Sequence, residues 1–449
     1  MDRKQFIDAL FARAKEAGFE ACEVYYTCSD SFSTDVFQGE LIQYNVANAL
    51  GLGFRGLLNG RMGYASTQIL DADAIDLLVD GARENALLIE SEDRQFLHPG
   101  DDSYVQLDTF HPELNDLPTA EKIAMARTLE QLTLEQDPRI AQVDGCSIAS
   151  EDAEVCIQNT LGLNVSTRMN LIFGYVSPIA KEDDRVNSGL AYFLAQDPKQ
   201  IDLASVAKRA ASTALAGLNA QTVASGSTAV VLSPEAAKDL LQTFSGVFSA
   251  EVAQKGMSLL KGREGEQIAS ECVTILDDPH RAGGLASTPF DGEGVATSVK
   301  KVVDAGRLTT LLHNLKTAFK QGVSSTGNAS RSYASAVSVA PTNFYFQPSD
   351  LSFDQMLTRL GEGLFITELS GLHAGANAIS GDFSLSAKGF RVRDGKIAEA
   401  VRQFTVAGNF YQLLKDIDAV GADLRFGIPS SSQFGSPSLL VRQLSVAGK

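Results

Sequence analysis

Two carboxylates separated by a single glycine, Asp291 and Glu293, stand in the segment STPFDGEGVAT. Alternate residues of an extended chain face the same side, so both acids could enter one groove and share acid–base work. A turn with solvated carboxylates accounts for the same letters. Glycosidase-like chemistry would need the two groups about 5–9 Å apart across a sugar. Further along, residues 325–331 read STGNASR, a polar loop whose Asn328 and Arg331 suit the clamping of a peptide or a carboxylate. Asp291, Glu293, Asn328 and Arg331 are therefore the candidate lining of a peptide groove. Ordinary loop hydrogen bonding is the competing account.

Metal and nucleophile chemistry find less support. The five histidines are His98, His111, His280, His313 and His373, and the nearest two are thirteen residues apart. A hydrolytic zinc site needs imidazoles projecting together from one or two helical turns, plus a Glu to activate water. The five cysteines (Cys22, Cys28, Cys146, Cys156 and Cys272) include no C-x-x-C pair, which implies reduced and mostly buried thiols. Neither a Walker A loop nor a G-x-S-x-G elbow occurs; Gly145-Cys146-Ser147-Ile148-Ala149 comes nearest and reads as a strand. Gly51-Leu52-Gly53-Phe54-Arg55-Gly56 matches G-x-G-x-x-G. A dinucleotide fingerprint must open a helix, whereas these glycines lie in a strand running to Asn59-Gly60. Close approach of another backbone to the sheet explains them better.

The elements that carry these residues follow from period and punctuation. Phe6, Ile7, Leu10, Phe11 and Ala14 predict a helix over 3–17. Short segments rich in Val, Tyr and Phe over 21–67 predict antiparallel strands, and Leu70–Glu90 returns to helical spacing. A linker is expected at 91–117, with Pro99, Gly100 and Pro112 inside it and Pro118 at its end. The plan then repeats: a helix at Thr119–Gln136, strands over 139–180 turning at Leu161-Gly162, and an Ala-rich helix at Asp202–Leu218. After Ala224–Gly226 the chain reads as mostly β, with hairpin turns at Asp304-Ala305-Gly306 and Asp394-Gly395 and helices at 234–247, near 311–320, at 353–361 and at 408–418. Ser233 as N-cap and Pro234 at the first helical position mark the first of these. The expected fold is α+β: antiparallel sheets with flanking helices in the N-terminal half and a β-rich C-terminal domain. The expected parts are 1–95, 118–220 and 225–449.

The 449 residues carry 38 Lys plus Arg against 55 Asp plus Glu, a net charge of −17. Affinity for nucleic acid rests on neutralising phosphates, so an acidic chain without a Lys/Arg-rich run predicts no nucleic-acid partner and no anionic membrane surface. The first residues, MDRKQFIDALFARAKEAGF, lack the apolar core of a secretory signal, and no stretch approaches the ~18 apolar residues of a membrane span. A cytoplasmic location is expected.

Residues 284–331, GLASTPFDGEGVATSVKKVVDAGRLTTLLHNLKTAFKQGVSSTGNASR, resemble the C-terminal signature of the TldD/PmbA family, named modulators of DNA gyrase. RGLLNGRMGYAST (55–67), LFITELSG (364–371), SGDFSLSAKGFRVRDGKI (380–397) and FTVAGN (404–409) extend the resemblance over nearly the whole chain. The resemblance implies a three-part cytosolic protein and a two-subunit metallopeptidase that matures or degrades peptides, in which the TldD-type subunit holds zinc and the PmbA (TldE) type does not. The name does not imply direct binding to gyrase. The zinc-bearing type carries His-Glu-x-x-x-His after a Val-Val-Leu strand. Here Val230-Val231-Leu232 is followed at the matching positions by Gln242, Thr243 and, at the second His position, Val247. An amide binds zinc poorly, an aliphatic side chain not at all, and a hydroxyl is a weak base at neutral pH. The family's C-terminal Cys ligand has no match either: the last 25 residues hold serines, as in IPSSSQFGS (428–436), and no cysteine.

The departures all point one way. The chain resembles the PmbA/TldE-like member, with no catalytic residue, cofactor or metal of its own and with zinc expected only in a TldD-like partner. That partner and an unfolded peptide substrate are the expected associates. A homodimer that binds peptides or proteins without proteolysis is the alternative. A metal-free hydrolase using Asp291 and Glu293 is the third reading.

Overall fold

The computed structural model describes residues 1–89 and 93–448. The expected helix end at Glu90, the expected linker start at Ser91 and Glu92, and the terminal Lys449 lie outside the described residues. Helix α1 (Arg3–Glu16) begins where Asp2 accepts the amide hydrogen of Gln5, and it buries Phe6, Ile7, Leu10 and Ala14 as one stripe. The chain then forms two strands far longer than the short segments expected, β1 (Ala21–Phe37) and β2 (Glu40–Leu58). Their hairpin turns at Gln38-Gly39, with φ of 54° and 78°. Both turn amides donate to the carboxylate of Glu130, each at 2.7 Å. β3 (Arg61–Thr67) adds to β2, and α2 (Ala72–Leu88) buries Ile75, Leu78, Val79 and Ala82.

The second unit repeats this plan. After a single turn, α3 (Pro112–Asn115), come α4 (Thr119–Leu134), β4 (Ile140–Asn159), β5 (Asn164–Glu182), β6 (Arg185–Ser188), β7 (Ala191–Ala195) and α5 (Leu203–Ala216). β1 pairs antiparallel with β4, from Glu23 opposite Asn159 to Asp35 opposite Ser147. The two units therefore build one seven-stranded sheet, ordered β3-β2-β1-β4-β5-β6 with β7 also on β5. Its helices share one face: Val24 and Tyr26 pack among residues of α1 and α2, and Val36 packs with Ala126 of α4. Side chains of opposite parity on β1, including Glu23 and Tyr25, point to the other face.

The C-terminal domain is built from two six-stranded sheets. Each contains one parallel pair: β8 (Gly226–Leu232) beside Gly363–Ser370 in one, and Asn343–Phe346 beside Gln433–Ser436 in the other. Helix α6 (Pro234–Phe244) starts as its signals require, with the Ser233 hydroxyl accepting the Ala236 amide hydrogen. Leu240, Leu241 and Phe244 sink into the core shared with strands of both sheets, and Phe244 stacks on Phe410 at 4.7 Å. The α-helix stops at Phe244 instead of reaching 247. The Ser245 hydroxyl donates to the Gln242 carbonyl, and Ser245–Phe248 tightens into a 3-10 turn.

This domain docks on the helix-free face of the seven-stranded sheet. A Cβ added to Gly51 would lie 2.3 Å from the Tyr333 ring, and one added to Gly53 would lie 2.1 Å from the Tyr333 carbonyl oxygen. The glycine pattern of β2 thus serves the close approach of another backbone. The Tyr333 hydroxyl accepts a hydrogen bond from Gln68 at 2.7 Å. Segment 93–117 runs between the two parts. The Tyr104 hydroxyl donates to the Gly294 carbonyl at 2.8 Å, Asp101 accepts the Ala296 amide hydrogen at 2.7 Å, and Phe96 packs on Phe319. Among the described residues no helix is long and apolar enough to cross a membrane.

Candidate functional site

Asp291 and Glu293 do not lie in an extended strand. Phe290 and Ala296 bridge, the Asp291 amide donates to Val295, and the Gly294 amide donates back to the Asp291 carbonyl, so the acids sit in a tight turn. Gly294 takes a φ of 79° there, against the side chain of Leu163. Both carboxylates are buried, because this turn is pressed against the seven-stranded sheet.

What they meet is a set of charges from the other end of the chain. Glu23 on β1 and Arg55 on β2 are directly opposite in register, and both are fully buried. Arg55 Nε donates to Glu23 Oε1 at 2.7 Å, and Arg331 Nη2 donates to the same oxygen at 2.6 Å. Asn159 on β4 adds a bond to Glu23 Oε2 at 3.3 Å. Arg55 Nη1 also lies 3.5 Å from Glu293 Oε1, while Glu293 Oε2 accepts the Leu315 amide hydrogen at 2.8 Å. Arg331 donates from Nε to the Gly292 carbonyl at 2.7 Å and lies over the Tyr25 ring.

Two arginines and two glutamates balance within this cluster, and Asp291 is the fifth charge. Its Oδ1 accepts the amide hydrogens of Glu293 (2.8 Å) and Val295 (3.1 Å), and its Oδ2 accepts that of Ala329 (2.9 Å). Burial and the neighbouring Glu293 nevertheless push its pKa up to about 7. Burial works in the same direction on Glu23, but there Arg55 and Arg331 outweigh it and hold the pKa below its ordinary value. Asn328 belongs to a separate buried group. Its amide donates to Asp277 at 2.7 Å and to the Ala340 carbonyl at 3.1 Å, and Asp277 also accepts from Lys300 and Thr342. Of the four candidate groove residues the fold thus unites Asp291, Glu293 and Arg331 at the seam between domains and sets Asn328 apart, inside the C-terminal domain, with the side chains of all four enclosed.

Sequence reasoning missed Glu23 and Arg55. The available signal was a charge at an otherwise apolar strand position, in ACEVYYT and in GLGFRGLL. A buried charge demands a partner. It also missed a cleft of about 660 Å³ on the helix side of the β1–β4 seam, bordered by Tyr26, Cys28, Asp30, Asn48, Glu154 and Arg168. Its polar groups are paired with one another, Arg168 with Asp152 and Asn48 with Asp30.

The positions matching the zinc motif diverge. Gln242 is exposed, Thr243 donates its hydroxyl back to the Asp239 carbonyl at 2.7 Å, and Val247, 1% exposed, is part of the apolar core. They lie on either side of the change from α-helix to 3-10 turn. An amide facing solvent, a hydroxyl bonded to its own helix and a core aliphatic do not fit a zinc ion. Among the described residues no group of three or more His, Cys, Asp or Glu side chains could hold a metal.

A helix-backed sheet made from two similar units, joined to a two-sheet C-terminal domain, defines a three-part class of chain. Models described as PmbA/TldA metallopeptidase domain 1, central domain and C-terminal domain match residues 22–86, 112–218 and 225–448. The chain belongs to this PmbA/TldD family of metallopeptidases. It is 30% identical to metalloprotease PmbA of Escherichia coli O157:H7 over 448 residues, covering 98% of this chain and 94% of that one. A Thermotoga maritima protein proposed to be a modulator of a DNA gyrase superposes with a TM-score of 0.91 at 35% identity, over 99% of this chain and 100% of the other. TldE from Thermococcus kodakarensis shares the fold, with a TM-score of 0.90 at 21% identity over 99% and 100% of the two chains.

Proposed function

We propose that this chain is the PmbA/TldE-like subunit of a cytosolic metallopeptidase that matures or degrades unfolded peptides. It forms the substrate chamber with a zinc-bearing TldD-like partner and does not itself cut. The observation that carries this reading is the fate of the motif positions: Gln242 faces solvent while Val247 is locked in the core, so no pair of donors converges on α6. Asp291 and Glu293 offer no substitute machinery, since both Asp291 oxygens and Glu293 Oε2 already accept main-chain hydrogens and Glu293 Oε1 faces Arg55. An extended peptide can add to a free strand edge through main-chain bonds with little side-chain preference, which suits a chamber that admits flexible segments.

The test is to incubate the purified chain with zinc and a fluorescently labelled unstructured peptide, with and without a relative bearing His-Glu-x-x-x-His. Cleavage is expected only in the mixture, and a chelator should abolish it. Robust cleavage by this chain alone, persisting in chelator, would overturn the proposal.

A further inference from the structure

A second cleft, of about 390 Å³, opens where the second unit meets the C-terminal domain. One wall is segment 106–111 together with the end of β7 and the 3-10 turn that follows it. The other wall is the loop 280–287. The two walls carry opposite charges: Arg281 belongs to the loop, and Asp108 and Asp197 belong to the wall across from it. Arg281 is half-buried. Its guanidinium lies over two rings, with Cζ 4.4 Å from the centre of Phe426 and 5.3 Å from that of Tyr345, and the rings meet edge to face at 5.2 Å. It also reaches the Tyr345 hydroxyl. Among the described residues no carboxylate forms an ion pair with it. Stacking fixes the plane of a guanidinium and leaves the N–H fork, which points along that plane, open to a planar acceptor.

Both walls are held in place by their own hydrogen bonds. The Arg281 carbonyl accepts from the Gly284 amide at 3.0 Å and from the Ser287 hydroxyl at 2.8 Å, while Gln433 and Asn343 accept the amide hydrogens of Leu285 and Ala286 at 2.9 and 3.2 Å. The amides of Ala282 and Gly283, next to the arginine in the chain, are exposed and donate to no group among the described residues. Across the cleft, the Thr109 carbonyl accepts from the Asn170 amide and from the Gln196 side chain, each at 3.2 Å. Asp197 starts the 3-10 turn by accepting the Lys199 amide hydrogen at 2.9 Å. Asp108 is exposed and has no partner among the described residues.

We propose that this cleft binds a small zwitterion, a peptide of two or three residues with both ends free, its carboxylate on Arg281 and its ammonium on the Asp108 side. The charges of the walls select this class. A phosphate or another multiply charged anion would gain Arg281 but face two carboxylates, and a simple cation would gain Asp108 but face the guanidinium. A molecule with a carboxylate at one end and an ammonium at the other satisfies both walls, and the carboxylate suits the fork of an arginine together with free main-chain amides. The volume lies at the small end of the range for ligand sites, about 300–1,000 Å³, and a single amino acid would fill only part of it. Binding of this kind needs neither zinc nor a second subunit. It therefore goes beyond the peptidase reading, and the two fail in different measurements.

The experiment is calorimetric titration of the full chain, free of zinc, with trialanine, its C-terminal amide, its N-acetylated form and inorganic phosphate. Trialanine should bind with a dissociation constant of about 0.3 mM. Amidating its carboxylate and replacing Arg281→Gln should each weaken binding about 10-fold, and combining them should cost little more than either alone, because both remove the same contact. Acetylating the amine and replacing Asp108→Asn should form a second such pair, with a smaller loss of about 3-fold at this exposed site. Circular dichroism checks that both variants fold. The modified peptides and the exposed Asp108→Asn position keep the test decisive even where Arg281→Gln disturbs the ring stack. An absence of trialanine binding at about 10 mM, losses that multiply when amidation and Arg281→Gln are combined, indifference to acetylation, or phosphate binding as tightly as trialanine would each overturn the proposal.

Discussion

Arg331 donates to Glu23 at 2.6 Å across 308 residues of chain, and that contact fastens the C-terminal domain to the first strand of the molecule. Arg331 also donates to the Gly292 carbonyl, so one guanidinium ties together β1, the Asp291–Glu293 turn and the STGNASR loop. Its planar fork suits this, because one nitrogen reaches the carboxylate while another reaches a carbonyl at a fixed angle. Replacing Arg331 with Met should lower the unfolding free energy by about 3 kcal/mol, since Glu23 stays buried with only Arg55 to balance it. Arg331→Lys should recover little of this. Urea unfolding of the two variants provides the check, and a loss below about 1 kcal/mol for Arg331→Met would show that the contact is peripheral.

Asp291 should make the protein lose stability as pH rises toward neutrality. Its folded pKa of about 7 lies above its ordinary value of 3.8, so between these limits the folded state holds a proton that the unfolded state has released. Stability from this group is complete below about pH 4 and is lost as pH rises through 7. Glu23 has the opposite sign, with its pKa lowered on folding from 4.5, and its contribution is lost only under more acidic conditions. Urea midpoints measured from pH 5 to 8 should therefore fall in the wild type and flatten in Asp291→Asn. The amide would oppose the Ala329 N–H and reduce stability at every pH, so the slope is the quantity to compare. An unchanged slope would remove Asp291 as the source.

The two glycines that face Tyr333 should respond differently to a second substitution. Gly51→Ala meets a ring and Gly53→Ala meets a carbonyl oxygen. Each alone should destabilise the domain seam by about 1–3 kcal/mol. Adding Tyr333→Ala should relieve the Gly51 variant, because the obstacle is a side chain that can be removed, and should leave the Gly53 variant as it was. Thermal unfolding of the four proteins decides this. Equal rescue of both would mean that the backbone of the 325–335 loop yields more readily than the close approach implies.

Grafting the zinc motif back should fail. A combined Gln242→His, Thr243→Glu, Val247→His variant puts an imidazole into an apolar core with no partner, at a cost of about 2–3 kcal/mol. The other imidazole faces solvent. The expected result is a lower melting temperature and no stoichiometric zinc after desalting, read by elemental analysis. One tightly held zinc per chain would show that the segment around 244–248 rearranges readily.

Local signals carried much of this molecule. The stripe Phe6, Ile7, Leu10 and Ala14, the Ser233-Pro234 helix start and the Gly51/Gly53 pattern depend on neighbours a few residues away, and each appears where its letters place it. Membership of a metallopeptidase family was legible for a related reason: long runs such as the DGEG turn and the STGNASR loop persist as strings. The positions matching the zinc motif, 242, 243 and 247, could likewise be counted off from the Val-Val-Leu strand. Tertiary structure decided what depends on partners far along the chain. The pairing of β1 with β4 merged two separately legible units into one sheet, and docking on its bare face enclosed Asp291 and Glu293 beside Glu23, Arg55 and Arg331. Residue type and spacing describe a chain's local preferences. Burial and the electrostatic surroundings of a charge are set by whatever the fold brings against it, and here that came from the opposite end of the polypeptide.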